Sequence, residues 1–194
     1  KKGTFEELHK MGFENSKDII SAGFNSEKTF IFSNRDYRLK CPKYEMFVSD
    51  LKVNASVKEV SQIFGFKDDG NIGMYDWPFY QSAASFSQAF PHIFSGRPAY
   101  CLIPCAIDQD PYFRLGRDLA QRMKLLKTST LYSTFLPPLK GLDDGKMSSS
   151  LNKESTIFLN DDANTIKKKV MIAKSGSRGN GSLEDHKRLG GDVA

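Results

Sequence analysis

Ala99-Tyr100-Cys101-Leu102-Ile103-Pro104-Cys105 runs directly into Ala106-Ile107-Asp108-Gln109-Asp110-Pro111, and this stretch decides the fold class. Its first part is a near-continuous apolar run, the pattern of a strand buried on both faces of a parallel sheet. Asp110 then reads as an N-cap with Pro111 at the first helical position, and Leu115, Leu119 and Met123 form one face of the helix that follows. Ligands of open α/β sheets sit at this place, the carboxyl end of a strand where free helix amides face outward. Asp108 can accept hydrogen bonds from a ribose hydroxyl or an ammonium, and Gln109 can both donate and accept. The same residues also suit a plain strand-to-helix turn.

Elements of both kinds lie on either side. Thr4 followed by Glu7 is a capping box, and Phe5, Leu8, Met11, Ile19 and Ile20, closed by Gly23, predict a helix across most of residues 4 to 22. Thr29-Phe30-Ile31-Phe32-Ser33 reads as a short buried strand. A second capping box, Ser56 with Glu59, opens a helix through Val60, Ile63 and Phe64 that Gly65 ends. Between Pro78 and Pro91 a helix is expected to carry Gln81, Phe86 and Phe90, and Thr130 to Phe135 is a further strand candidate. Residues 137 to 152 form a loop dense in Pro, Gly, Asp and Ser. A helix with Ala163, Ile166 and Val170 on one face follows it, and Lys174 to Ser182 reads as a mobile loop. Strands alternating with helices imply an α/β doubly wound fold.

Composition bounds the function classes. The chain has 194 residues, 39% hydrophobic and 26% charged, enough to bury a real core within one domain. No apolar run approaches the roughly 20 residues that span a bilayer, so a soluble protein is expected. Lys1-Lys2-Gly3 is neither a signal peptide nor an initiator methionine, and the chain is expected to be a fragment. Cys41, Cys101 and Cys105 suit reduced cytosolic thiols, and Cys101 with Cys105 lacks the second ligand pair of a zinc site. The net charge of +5 tolerates a polyanion partner without requiring one.

Two further groups could carry chemistry. In Gly141-Leu142-Asp143-Asp144-Gly145-Lys146-Met147-Ser148-Ser149-Ser150, glycines and small residues could present amides and hydroxyls to phosphate oxygens, with Lys146 as a compact positive charge. By composition alone it reads first as a solvated turn. Gln81, within Trp77-Pro78-Phe79-Tyr80-Gln81-Ser82, is either a buried polar group with a structural partner or a ligand contact in an aromatic pocket. Lys167-Lys168-Lys169 and Arg114, Arg117 and Arg122 read as solvated helix faces, whereas Arg35 and Arg38, after a strand end, are more suggestive of phosphate. His9, His92 and His186 are scattered, with no Ser-His-Asp arrangement.

Lys146 to Ser150 resembles the KMSKS signature of class I aminoacyl-tRNA synthetases. Cys105-Ala106-Ile107-Asp108-Gln109-Asp110-Pro111-Tyr112-Phe113-Arg114 is similar to the tryptophanyl branch of the eukaryotic and archaeal type, and the two motifs stand in the right order with a strand between them. The likeness extends through Lys17 to Ile20, Thr29 to Ser33, Ser85 to Ser87, Phe90 to Phe94 and Leu131 to Phe135, ending near Gly190 to Asp192.

The resemblance implies the carboxyl-terminal part of a class I Rossmann-type catalytic domain over residues 1–173. Residues 174–194 would be a flexible segment leading toward a helical anticodon-binding domain. It implies two steps: tryptophan attacks the α-phosphate of ATP to give tryptophanyl-adenylate, and the amino acid passes to tRNA(Trp). Magnesium accompanies the ATP, the enzyme is a cytoplasmic homodimer, and no membrane is involved. Carried over, Lys146 would contact the leaving phosphates, while Met147, Ser148, Ser149 and Ser150 shape the ATP loop. Asp108 would lie at the nucleotide, and Gln81 and Gln109 would bind the polar end of tryptophan.

Ser149 stands where KMSKS has its second lysine, so no role for that lysine transfers. The HIGH signature and the indole-recognition residues are not among the 194 residues, and the isolated chain is therefore expected to be inactive. The alternatives are a tyrosyl-tRNA synthetase, whose corresponding motif has basic residues in place of Asp110-Pro111, and a noncatalytic nucleotide-binding or interaction module.

Overall fold

The computed structural model describes residues 3–67, 69–135, 138–139 and 153–173. The chain divides into two compact units, residues 1–133 and 134–194. The first is α/β.

Its opening helix is specified locally. Helix α1 (Phe5–Ser21) starts at the reciprocal Thr4–Glu7 capping box, which satisfies two of the amide donors a helix start leaves open. Its apolar residues are not buried: Phe5, Leu8 and Met11 remain exposed among the described residues. The expected strand at residues 29–33 does not form. A strand needs a neighbour for its N–H and C=O groups, and no described strand lies beside this one. Phe30 instead stacks on Phe32 at 5.4 Å, and both rings meet Phe90 edge-on. Ser33 caps α2 (Asn34–Lys40), and Pro42 begins α3 (Pro42–Val53).

Helix α4 (Val57–Phe64) ends as expected on Gly65, whose φ of 67° is the left-handed value that favours glycine. Its start is only half of the expected capping box. Ser56 Oγ accepts from the Glu59 amide, but the Glu59 carboxylate is taken by Arg122.

Helix α5 (Ile72–Ala83) is displaced from its predicted position. It begins at the Asn71 cap and contains Pro78 rather than starting after it. A proline in a helix interior forgoes one hydrogen bond, and here that residue is fully buried. Phe86 and Phe90 lie beyond the helix, flanking a short 3₁₀ turn (Ser87–Ala89) before α6 (Pro91–Phe94).

Strand β1 (Leu102–Ala106) leads through a 3₁₀ turn (Ile107–Gln109) into α7 (Asp110–Arg122), and β2 (Ser129–Ser133) closes the unit. The two strands are parallel, with Leu102 opposite Ser129 and Ala106 opposite Ser133. The expected burial of β1 on both faces is not met, for Leu102 is 64% exposed. Burial on both faces needs a layer over each face. Among the described residues β1 has one neighbouring strand, and the core lies among the helices.

That core joins Tyr44, Val48 and Leu51 of α3, Phe79, Tyr80 and Ala83 of α5, and Leu115, Leu119 and Ala120 of α7. Each fully buried leucine is worth about 2 kcal/mol from removal of apolar surface. Within it the Tyr44 hydroxyl donates to the Tyr80 carbonyl at 2.9 Å. Burial, then the charge of Glu45, push the Tyr44 phenol up to about 12.

In the second unit α8 (Ala163–Ile172) starts at an Asp162 cap that accepts from the Thr165 amide at 2.8 Å. The lysine run on α8 is not uniformly solvated. Lys167 and Lys168 are exposed, whereas Lys169 donates to the Thr156 carbonyl at 2.9 Å and to Asp161, with its ammonium over the Phe158 ring. None of the helices among the described residues is long and apolar enough to cross a membrane.

Candidate active site

The contact that carries the site lies between α5 and the turn after β1. Gln81 Nε2 donates to Gln109 Oε1 at 2.7 Å across 28 positions of sequence. The Trp77 indole Nε1 donates to Gln81 Oε1 at 3.3 Å. Both glutamines are partly buried.

One hydroxyl fastens the two elements together. Ser82 Oγ donates to the Tyr112 carbonyl at 2.6 Å, tying α5 to the first turn of α7. Gly116 lies against Ser82 and Phe86, with room for a Cβ at ordinary van der Waals distance. With α5 and α7 joined there, Gln81 and Gln109 come within hydrogen-bonding distance. Asp108 is exposed in the same turn, where its carboxylate can accept a hydroxyl.

Asp110 is not the cap expected of it. Residue Gln109, not Asp110, holds the cap position, and no side chain there bonds the helix amides. Asp110 Oδ1 accepts from Arg117 Nη2 at 3.0 Å and from the Tyr132 hydroxyl. Arg117 also donates from Nη1 to Thr130 Oγ1 at 2.9 Å. The Tyr132 hydroxyl, followed by the Arg117 guanidinium, holds the Asp110 carboxyl below the usual aspartate range. Burial, then the charges of Asp110 and Asp108, push the neighbouring Cys105 thiol up. A thiol raised in this way is held in its protonated, weakly nucleophilic form.

Arg122, Arg38 and Arg35 are committed to structure. Arg122 donates to Glu59 Oε2 and to the Asn54 carbonyl, both at 2.8 Å. Arg38 reaches Glu45 at 3.1 Å and covers the Tyr80 ring. The Tyr80 hydroxyl donates to that same Glu45 at 2.7 Å, and burial, then this bond, push the Tyr80 phenol up. Arg35 lies over the Phe5 ring at 4.3 Å. The reading of Arg38 as a phosphate contact and of Arg117 and Arg122 as solvated gives way to these pairings, each of which sets a guanidinium against a partly buried carboxylate.

Gln81 and Gln109 are therefore brought together, with Asp108 in the adjoining turn. Lys146, Met147, Ser148, Ser149 and Ser150, with nearly all of the loop around them, lie outside the described residues. Sequence reasoning missed the Trp77–Gln81 bond, although the i,i+4 spacing on a helix was the available signal. It also missed Tyr132 as a partner of Asp110, for which no local signal exists.

A family model described as "tRNA synthetases class I (W and Y)" matches residues 6–189. The chain belongs to this class I family. It is 46% identical over 191 residues to the cytoplasmic tryptophan–tRNA ligase of rabbit (Oryctolagus cuniculus), covering 97% of this chain and 39% of that one. A solved parasite tRNA synthetase in its product-bound form superposes with a TM-score of 0.83 at 39% identity, covering 99% of this chain and 50% of that one. The tryptophanyl-tRNA synthetase of Plasmodium falciparum gives 0.75 at 37% identity, covering 93% of this chain and 46% of that one. This member of the class I family thus spans half or less of the length of these relatives.

Proposed function

We propose that the protein to which this chain belongs is a tryptophan–tRNA ligase, and that these residues supply the carboxyl-terminal part of its active site. The observation that carries the reading is the Gln81–Gln109 contact at the end of β1, where an open α/β sheet offers its ligand site. The rabbit and Plasmodium relatives are named for tryptophan, which favours tryptophan over tyrosine as substrate.

In this reading tryptophan attacks the α-phosphate of ATP, pyrophosphate leaves, and the aminoacyl group passes to the terminal ribose of tRNA(Trp). Magnesium enters with ATP as part of the substrate. The Gln81–Gln109 pair binds the polar end of tryptophan, and the exposed Asp108 carboxylate accepts from the nucleotide. Lys146 offsets charge on the leaving phosphates, within a loop completed by Met147, Ser148, Ser149 and Ser150. That task suits preorganised donors rather than covalent catalysis. Residues 1–173 belong to the catalytic domain, and residues 174–194 lead toward the domain that reads the anticodon. The intact enzyme is a cytoplasmic homodimer, and the isolated chain is inactive because the HIGH-bearing part acts on the same phosphates.

The test is amino-acid-dependent exchange of label between pyrophosphate and ATP by the full-length protein. Exchange with tryptophan and not with tyrosine is expected; exchange with tyrosine in its place would sink the assignment. The 194-residue chain alone is expected to give no exchange.

A further inference from the structure

A glutamine amide reads almost the same in either orientation, because its oxygen and nitrogen ends have similar shape but opposite hydrogen-bonding character. Something must therefore decide which way Gln81 and Gln109 face. The indole N–H of Trp77 can only donate, so the group 3.3 Å from it on Gln81 is the carbonyl oxygen Oε1. That choice turns Gln81 Nε2 toward Gln109, and Nε2 can only donate, so the Gln109 group it meets at 2.7 Å is Oε1. Gln109 is left with its NH₂ end turned away from Gln81. The donor-only indole of Trp77 thus sets the polarity of both amides in series.

We infer that Trp77 is a positioning residue that orients the Gln81–Gln109 pair so that the NH₂ group of Gln109 meets the anionic end of the amino-acid substrate. The inference rests on the assignment of this pair to tryptophan binding made above. Trp77 and Gln81 are one helical turn apart on α5, so the geometry between them is held by the helix. Trp77 is 47% exposed and its ring is stacked beside Tyr80 at 6.5 Å. Replacing the indole by a phenyl ring removes the N–H while keeping an aromatic group at that place. Without the N–H, Gln81 can rotate its amide, and the donor end of Gln109 is no longer specified.

The experiment compares L-tryptophan with tryptamine, which has the same indole and amine but no carboxylate. Dissociation constants are measured by calorimetry on the full-length protein and on its Trp77→Phe, Trp77→His and Gln109→Ala variants. Trp77→Phe should weaken tryptophan about five- to tenfold, as expected for loss of one hydrogen bond, and leave tryptamine within about twofold. Trp77→His, which keeps a ring N–H, should recover part of the tryptophan affinity. Unchanged tryptamine binding also reports that the variant is folded with its indole pocket intact. Equal weakening of both ligands by Trp77→Phe, or no weakening of either, overturns the role of Trp77. If Gln109→Ala binds tryptophan as before, the assignment of the pair to tryptophan falls and the role of Trp77 falls with it. If Gln109→Ala weakens tryptophan and Trp77→Phe does not, only the role of Trp77 falls.

Discussion

The Tyr132 hydroxyl donates to the Asp110 carboxylate, so the second strand of the sheet is fastened to the first turn of the helix that follows the first strand. Arg117 donates to the same carboxylate oxygen through Nη2 and to Thr130 Oγ1 through Nη1. These bonds hold the turn that carries Asp108 and Gln109 against β2. Tyr132→Phe should move the Asp110 carboxyl back up toward the ordinary aspartate range, since the Tyr132 hydroxyl is the leading cause of its depression. Carboxyl NMR titration of Asp110 reads this directly, and an unchanged titration would show that the hydroxyl is not bound there. Arg117→Ala, which removes both the Asp110 and the Thr130 contact, should lower stability by about 1–2 kcal/mol in denaturant unfolding.

Glu59 and Arg122 give a pH dependence of known sign. The Arg122 guanidinium holds the Glu59 carboxyl below the usual range. A depressed folded-state value means that the contribution is fully present above the unfolded glutamate range and is lost as the pH falls through the folded one. Melting temperatures measured from pH 6 downward should therefore fall less steeply for Arg122→Ala than for the parent chain. At neutral pH the same variant should lose about 1 kcal/mol, the upper part of the range for partly exposed pairs. Parallel pH profiles in the two proteins would remove the pair from the account.

Gly116 and Leu115 separate close approach from core packing. A Cβ at Gly116 would meet Phe86 Cε2 at 3.6 Å and Ser82 Cβ at 3.7 Å, ordinary van der Waals distances. Gly116→Ala should thus be tolerated and gain about 0.5–1 kcal/mol from the reduced freedom of the unfolded chain. Leu115 has no exposed surface, and Leu115→Ala should cost about 2–5 kcal/mol through lost burial and the cavity left behind. Chemical denaturation of the two variants distinguishes these outcomes by sign.

Lys146→Ala in the full-length protein should slow tryptophan-dependent pyrophosphate exchange by about 10²-fold, the usual effect of removing one group that stabilises developing charge. Tryptophan binding measured without ATP should change less than about twofold, because the proposed contact is with phosphate alone. A large loss of tryptophan affinity would instead assign Lys146 to the amino-acid pocket.

Local signals carried the sequence a long way. Amino-acid order alone determined α1 with its Thr4–Glu7 box, the Gly65 stop of α4, the strand-turn-helix of residues 102–122, and the buried face of Leu115 and Leu119. Caps, turns and periodicity depend on residues within about one helical turn of each other, so they can be read along the chain. The two signatures around Asp108 and Lys146 pointed to the family that the matching model then established.

Only the tertiary structure decided which groups meet. It set Gln81 against Gln109 over 28 positions, Tyr132 against Asp110 over 22, and Arg122 against Glu59 over 63. It also left residues 29–33 without a strand partner among the described residues and drew Lys169 out of solvent to Asp161. Charged and amide side chains have the same local appearance whether solvated, paired or ready for a ligand. Their roles depend on burial and on the partner that the chain path delivers, and neither quantity is written in the residues next to them.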